Sequence, residues 1–138
     1  MGRILSVDYG KKRTGLAVTD PMQIIANGLT TVSTVDLWPF LEKYCVQEKV
    51  ERIVIGQPFQ PNGKPSENLA RVENFFGRWC NAHPEIPIEY YDERFTSVIA
   101  HRAILDGGVE KENRRANQGV VDEISATIIL EDWLTSKR

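Results

Sequence analysis

The fold is decided by the N-terminal stretch Ile4-Leu-Ser-Val-Asp-Tyr-Gly-Lys-Lys-Arg-Thr-Gly-Leu-Ala-Val-Thr19. Residues 4–9 and 15–19 are apolar runs of strand length, and the glycine and three cations between them are typical of a tight turn. Two strands joined by so short a turn predict an antiparallel β-hairpin. The hairpin carries an acid, Asp8, near the end of its first strand.

The rest of the chain alternates between strand and helix patterns. Short apolar runs indicate strands over residues 24–32, 52–56 and 86–91. Apolar residues at helical spacing indicate helices over residues 37–48, 69–79, 97–105 and 118–134. Asn27-Gly28 marks a bulge or a bend in the third strand, and Asp36 is the candidate N-cap of the first helix. This order predicts an α/β fold: a mixed five-stranded sheet with an antiparallel hairpin start, flanked by helices.

Length and composition predict one soluble domain over residues 1–138. The content of 41% hydrophobic and 26% charged residues is that of a globular chain with a real core. No stretch approaches the roughly 20 apolar residues of a membrane span, and the N-terminus turns charged too early for a signal peptide. Cys45 and Cys80 are expected to be buried free thiols, so we expect a cytoplasmic protein without a membrane partner.

Charge argues weakly against a nucleic-acid ligand. The net charge is −2, whereas phosphate-binding surfaces are usually basic. The basic residues are nevertheless clustered, at Lys11-Lys12-Arg13 and over residues 111–115. An acidic metal site would also lower the formal charge while attracting cations that then face the phosphate.

Two acids follow predicted strands. Asp8 should emerge at the C-terminal edge of its strand, where α/β sheets place ligands, although it could equally cap the Gly10 turn. Glu93, in Asp92-Glu93-Arg94, follows the strand over residues 86–91. The alternative for Asp92 or Glu93 is to complement the dipole of the helix that follows.

A third acid, Asp122, lies within the last predicted helix. Helical spacing puts Ser125, Ala126 and Ile129 on its face, so Asp122 should point toward packed protein. A carboxylate there is costly unless it is paired or bound to metal. The alternative is a buried salt bridge to an arginine such as Arg94.

Three carboxylates from two strand ends and one helix could converge on one point. Hard oxygen ligands suit Mg2+ or Mn2+, which bind through a few carboxylates, water and substrate phosphate. Metal-dependent phosphodiester cleavage needs this arrangement. The competing hypotheses are a nucleotide-binding fold of the actin and sugar-kinase type, which needs two such domains, and a catalytically silent RNA- or ribosome-binding module.

Four motifs in order resemble the bacterial YqgF family, also called RuvX. They are Asp8-Tyr-Gly-Lys-Lys-Arg-Thr-Gly15, Ile53-Val-Ile-Gly-Gln-Pro58 with Asn62-Gly63, Asp92-Glu-Arg-Phe-Thr-Ser97, and Asp122-Glu-Ile-Ser-Ala-Thr-Ile-Ile-Leu130. The resemblance spans nearly the whole chain. It implies an RNase H-like fold similar to RuvC-type resolvases, and a nuclease that trims the 5′ end of pre-16S rRNA in ribosome biogenesis or resolves Holliday junctions.

The resemblance also implies roles for individual residues. The catalytic and metal-binding residues would be Asp8, Glu93 and Asp122. The nucleic-acid-binding residues would be Lys12, Arg13, Arg94, Gly10 and Asn62. The substrate would be structured precursor rRNA or branched DNA. The sequence itself shows no obvious extra apolar face, so we expect a monomer or a weak dimer.

Two departures from the family pattern concern the same site. Gln57-Pro58-Phe59 replaces the Leu-Pro-Leu that more often follows Gly56 in the family, which affects the expected substrate-facing loop. Ser125 stands where RuvC-type enzymes have a fourth acid. Metal binding is therefore expected to be weaker, or Asp92 to supply a ligand.

Overall fold

The computed structural model describes residues 2–60, 62–95 and 111–137. The helix expected over residues 97–105 lies outside these ranges. The strands are β1 (Arg3–Asp8), β2 (Arg13–Thr19), β3 (Ala26–Ser33), β4 (Val50–Gln57) and β5 (Ile88–Asp92). The helices in the described ranges are α1 (Leu37–Gln47), α2 (Leu69–Ala82) and α3 (Lys111–Ser136), with 3-10 turns at Thr34–Asp36 and Glu93–Phe95.

The strands form one mixed sheet in the order β3-β2-β1-β4-β5. β1 pairs antiparallel with β2, and β2 antiparallel with β3, which confirms the hairpin. β1 and β4, and β4 and β5, pair in parallel. The register of β2 and β3 shifts between Leu16 and Ala17, opposite Gly28, where the sequence predicted a bulge or a bend. The predicted sheet is therefore confirmed.

Some predicted boundaries were wrong for local reasons. β5 begins at Ile88 rather than residue 86: the Ile86 carbonyl accepts a hydrogen bond from Trp79 Nε1 at 3.1 Å, and Pro87 has no N–H for a strand ladder. α3 begins at Lys111, before the apolar spacing that predicted it. Asp36 precedes α1, but its side chain makes no capping hydrogen bond because its backbone is helical rather than extended.

Side-chain alternation along the strands divides the core into two layers. One layer lies under α1 and α2 and includes Leu5 and Val7 of β1. The other lies under α3 and includes Ile4 of β1. The interior strand β4 is covered on both faces, as its apolar run predicted, with Ile53 and Ile55 in the first layer and Val54 in the second.

The two thiols differ in environment. Cys45 on α1 is buried, and desolvation raises the pKa of its thiol to about 12. Cys80 is exposed, so the prediction that it is buried was wrong. It follows Trp79, which is fully buried, and one residue along a helix turns the side chain about 100° away from that face. No helix in the described residues has the length and apolarity required to cross a membrane.

His83, at the end of α2, connects α1 and α2 at the surface. Its Nε2 lies 2.8 Å from Glu42 Oε2 on α1, and its Nδ1 lies 3.1 Å from Glu85 Oε1. Partial burial opposes the imidazolium, but hydrogen bonds and charge from Glu85 and Glu42 outweigh it, so the pKa of His83 is raised. The charged form of His83 therefore stabilises the fold.

We expect this contribution to be pH-dependent. It should be fully present below the unfolded-state pKa of about 6.5 and lost as pH rises through the higher folded-state pKa. Urea unfolding of the wild type and His83→Gln should show a difference in free energy that shrinks from about pH 6 to about pH 8.5. A difference that stays constant over this range would show that His83 is not charged in the fold.

Candidate active site

Strand alternation places Asp8 on the side of the sheet that α3 covers. Every second residue of β1 lies on the same face, and this face carries Ile4, Ser6 and Asp8. Ile4 packs in the α3 layer. Ser6, which is fully buried, donates its hydroxyl to the Ala126 carbonyl of α3 at 2.6 Å. The hydrogen bond joins β1 to α3 one turn beyond Asp122, so Asp8 and Asp122 belong to the same interface.

Gly15 on β2 allows α3 to approach the sheet closely enough to bring Asp122 beside Asp8. It is the residue on β2 that pairs with Asp8. A Cβ at Gly15 would collide with the backbone carbonyl of Asp122, and backbone cannot turn aside as a side chain can. The absence of a side chain at Gly15 is therefore a condition for bringing Asp122 beside the end of β1.

Gly56 leaves space for Glu93, as Gly15 leaves space for the backbone of Asp122. β4 lies between β1 and β5, and Glu93 follows directly after β5. A Cβ at Gly56 would lie 2.8 Å from Glu93 Oε1 and 2.8 Å from Ile129 Cδ1 of α3. The buried Glu93 carboxylate thus lies over Gly56, at the same edge of the sheet as Asp8.

The three predicted acids line one open cavity of about 530 Å³. Asp8 and Glu93 are buried, and the side chain of Asp122 is 16% exposed. The other described residues that line it are Tyr9, Gly10, Lys11, Arg13, Gly56, Pro58, Phe59, Gln60, Ser66, Glu67, Asn68 and Arg71. The structure thus brings together the acids, with Gly10 and Arg13 from the predicted nucleic-acid contacts.

The acids do not form a compact metal cage. In the part of the chain that the structure describes, no three His, Cys, Asp or Glu side chains are grouped so that they could hold an ion. Asp122 instead pairs with Arg13, with Arg13 Nε at 3.4 Å from Asp122 Oδ2. A salt bridge to an arginine exists, but it is not the buried one considered from the sequence: its arginine is Arg13, whose side chain is 46% exposed, rather than Arg94. Its partners come from the hairpin and from α3.

Arg94 is engaged beside the cavity. Its Nη2 lies 2.6 Å from Asp92 Oδ2, and its backbone N–H donates to Asp92 Oδ1 at 2.8 Å. The hydrogen bond from the Arg94 side chain is the main reason that the pKa of Asp92 is lowered. The guanidinium also covers the ring of Phe59, with Cζ 4.4 Å from the ring centroid. Asp92 therefore holds Arg94 and does not line the cavity.

The departure at Gln57-Pro58-Phe59 has a structural consequence. Phe59 lines the cavity, forms a β-bridge with Pro65 and lies beneath Arg94. An aromatic ring in this position offers the guanidinium a flat face, which gives a cation–π contact that leucine does not provide. The loop that differs from the family pattern thus supports one of the predicted substrate-binding cations.

The remaining predicted residues lie at the periphery. Lys12 is exposed in the β1–β2 turn, where its carbonyl accepts from the Thr34 N–H at 2.9 Å. Asn62 Oδ1 accepts from the Lys64 N–H at 3.0 Å, a turn contact that suits the positive φ of Gly63. Neither residue lines the cavity.

Ser125 is buried on α3 and donates its hydroxyl to the Val121 carbonyl at 3.0 Å. The hydroxyl is therefore used within the helix. Ala126 and Ile129 are fully buried, which confirms that Asp122 starts a face directed at the sheet.

Sequence reasoning missed the wall that α2 contributes. Arg71, Asn68 and Ser66 line the cavity at and before the start of α2, although they lie about 60 residues from Asp8 in the chain. No motif marked them. The signal available was an arginine in the first turn of a helix that follows a parallel strand.

A sequence model of the RuvX family, described as a Holliday junction resolvase, matches residues 2–136. The chain belongs to the RuvX family. This RuvX-family chain is 56% identical over 138 residues to a Phocaeicola vulgatus protein named "Putative pre-16S rRNA nuclease", covering 100% of this chain and 99% of the relative. A Bacteroides fragilis protein of the same name is 55% identical over the same shares.

Solved structures similar to this RuvX-family chain share its fold at low identity. One is T. thermophilus RuvC in complex with Holliday junction substrate, with TM-score 0.55, 16% identity, and 99% of this chain and 96% of that chain covered. Another is the fowlpox virus Holliday junction resolvase, with TM-score 0.54, 14% identity, and 97% and 99% covered. The predicted RNase H-like fold is thereby confirmed.

The role of Gly15 can be tested by measuring the free energy of unfolding of a variant. We expect Gly15→Ala to lower the free energy of unfolding by about 1–3 kcal/mol, because the added methyl group meets the Asp122 carbonyl. The matched control is Gly77→Ala on α2, where a Cβ meets nothing and alanine should stabilise the helix by about 0.5–1 kcal/mol. Urea titration measures both. A Gly15→Ala protein as stable as Gly77→Ala would contradict the close approach of α3.

Proposed function

We propose that the protein is a metal-dependent endonuclease that hydrolyses phosphodiester bonds and processes the 5′ end of pre-16S rRNA. The observation that carries the proposal is that Asp8, Glu93 and Asp122, from three separate elements, line one open cavity. The name of the Phocaeicola vulgatus relative, 56% identical over the full chain, supports the RNA substrate.

The donor set of this cavity fits Mg2+ or Mn2+. All three acids supply carboxylate oxygens, the ligands that these hard cations prefer. Mg2+ usually binds through one or two carboxylates together with water and substrate phosphate, so a compact group of three is not required. A bound cation of this kind would activate a water molecule and stabilise the leaving oxygen.

Arg13 adjusts the charge of the cavity. Asp8, Glu93 and Asp122 would together repel an incoming phosphate, and Arg13 offsets the charge of Asp122 through their salt bridge. Its guanidinium can also donate to a phosphate oxygen from the same side. We therefore assign Arg13 to substrate binding at the acidic wall.

Arg94 is assigned to substrate contact at the rim of the cavity. Asp92 and Phe59 hold its guanidinium in one plane, which reduces the side-chain entropy lost on binding. Gly10, Lys12 and Asn62 complete the proposed contacts, with Gly10 on the cavity wall and the other two in neighbouring exposed turns. We propose that the protein acts in the cytoplasm, because reducing conditions there suit the free thiols of Cys45 and Cys80.

Holliday junction resolution is the second candidate. The description of the RuvX family favours it. Resolving a symmetric junction requires two active sites related by symmetry, hence a dimer, whereas RNA trimming requires one. We favour RNA and a monomer because the curated relatives carry the rRNA name.

We expect wild-type protein to cleave a precursor-rRNA fragment with Mg2+ or Mn2+ and to lose this activity with a chelator. Asp8→Asn should abolish cleavage while the thermal unfolding curve is retained, because it removes one carboxylate charge from the cavity. Asp36→Asn, at an exposed acid outside the cavity, is the matched control and should cleave like the wild type. Gel assays of end-labelled RNA measure all three.

The same proteins should be tested on a four-way DNA junction. Faster cleavage of the junction than of the RNA would overturn the rRNA assignment in favour of resolution. Full activity of Asp8→Asn would overturn the metal mechanism. Binding of RNA without cleavage under any metal would identify the silent RNA-binding module.

We also expect Asp122→Asn to weaken Mn2+ binding by about tenfold or more, since even outer partners of metal ligands contribute this much. Calorimetric titration with Mn2+ measures the change. Arg13→Gln is the control, because it removes the salt bridge but leaves the carboxylate. Unchanged binding in Asp122→Asn would reassign Asp122 to the ion pair with Arg13 alone.

A further inference from the structure

Two cations line the cavity without any partner in the described part of the chain. Lys11 in the β1–β2 turn and Arg71 in the first turn of α2 take part in no ion pair or side-chain hydrogen bond there. Arg13 and Arg94, by contrast, are paired with Asp122 and Asp92. Within the described residues, no protein group uses the donors of Lys11 and Arg71, so these donors can serve a ligand.

Arg71 is fixed relative to Asp8 through Tyr9. The side-chain amide of Asn68, just before α2, donates to the carbonyl of Tyr9, the residue after Asp8. The ring of Tyr9 also contacts Phe75 of α2, with centroids 5.5 Å apart. The start of α2 is thus tied to the end of β1, and Arg71 lies one turn before Phe75.

Lys11 is held on the same wall by the turn that carries it. The Thr34 hydroxyl donates to the Gly10 carbonyl at 2.7 Å, and the Thr34 N–H donates to the Lys12 carbonyl at 2.9 Å. These bonds fix the backbone on both sides of Lys11. Its ammonium is flexible, but the point from which it extends is not.

We propose that Lys11 and Arg71 form a binding site for one backbone phosphate of the nucleic acid, next to the phosphodiester that is cut beside Asp8. The inference rests on the proposed function and adds how the strand is held. Arginine can donate two parallel hydrogen bonds to a phosphate, and lysine adds a point charge. The positive end of α2 acts in the same direction.

The charge distribution of the cavity explains why such a site is needed. The acids that suit a metal ion repel all phosphates of the strand except the one that the metal contacts. Affinity for the strand therefore has to come from cations that those acids do not neutralise. The Lys11 and Arg71 site lies on the wall formed by the hairpin turn and the start of α2, whereas Asp122 lies on α3. A strand bound at both walls has a defined direction across the cavity.

The test measures binding without cleavage, in full-length protein carrying Asp8→Asn. The probe is a fluorescent single-stranded RNA with the precursor-rRNA 5′ sequence, titrated by anisotropy at several salt concentrations. Arg71→Gln should weaken binding by about tenfold and lower the salt slope by about 0.7, the value for one phosphate contact on a single strand. Arg71→Lys should recover part of the loss.

Arg78→Gln is the matched control. Arg78 lies on the same helix and contacts the ring of Trp38 rather than the cavity, and its substitution removes the same charge. It should leave both the affinity and the salt slope nearly unchanged. Lys11→Gln should resemble Arg71→Gln, and the double variant should lose less than the sum of the two because both side chains hold one phosphate.

The outcomes separate this site from the proposed function. If Arg71→Gln matches Arg78→Gln in affinity and salt slope while wild-type protein cleaves RNA, the phosphate site is wrong and the nuclease assignment stands. If wild-type protein never cleaves but Arg71→Gln lowers the salt slope, the phosphate site stands and the nuclease assignment fails. Strictly additive losses at Lys11 and Arg71 would overturn a single shared phosphate.

Discussion

The contact of α3 with β2 at Gly15 is the constraint on which the candidate site depends. Asp122 is 114 positions from Asp8 in the sequence, and this contact helps to bring the two acids to one cavity. The buried hydrogen bond from Ser6 to the Ala126 carbonyl fixes the helix along its axis. Glycine at position 15 fixes how close it comes. The same helix also limits the space above Gly56, where Glu93 lies.

Charge pairing then decides what each cation around the cavity can do. Arg13 and Arg94 are each held by an aspartate, which places their guanidinium groups but uses part of their donor capacity. Hydrogen bonding from Arg94 also lowers the pKa of Asp92, so Asp92 stays charged and keeps its arginine. Lys11 and Arg71 have no such partner in the described residues. The cavity and its rim therefore combine two arginines held by aspartates, Arg13 and Arg94, with two cations that no described residue pairs with, Lys11 and Arg71.

Local patterns were sufficient to predict the sheet. Apolar runs gave five strands, and the short turn after Asp8 gave the antiparallel start that the pairing confirms. Errors arose where a tertiary contact replaced a local preference. The Ile86 carbonyl accepts a hydrogen bond from the Trp79 indole instead of from a neighbouring strand. Cys80 comes directly after the buried Trp79 and is exposed on the outer side of α2.

By itself, the sequence determined the fold class and the RuvX-type motifs, and it singled out the three acids that the structure places on one cavity, because these depend on residue type and on spacing within single elements. Only the tertiary structure decided which arginine pairs with Asp122, that Asp92 is engaged by Arg94, and that Arg71 shares the cavity with Asp8. These outcomes depend on distances between elements far apart in the chain. Such distances are set by close packing at positions such as Gly15 and Gly56, and no local pattern contains them.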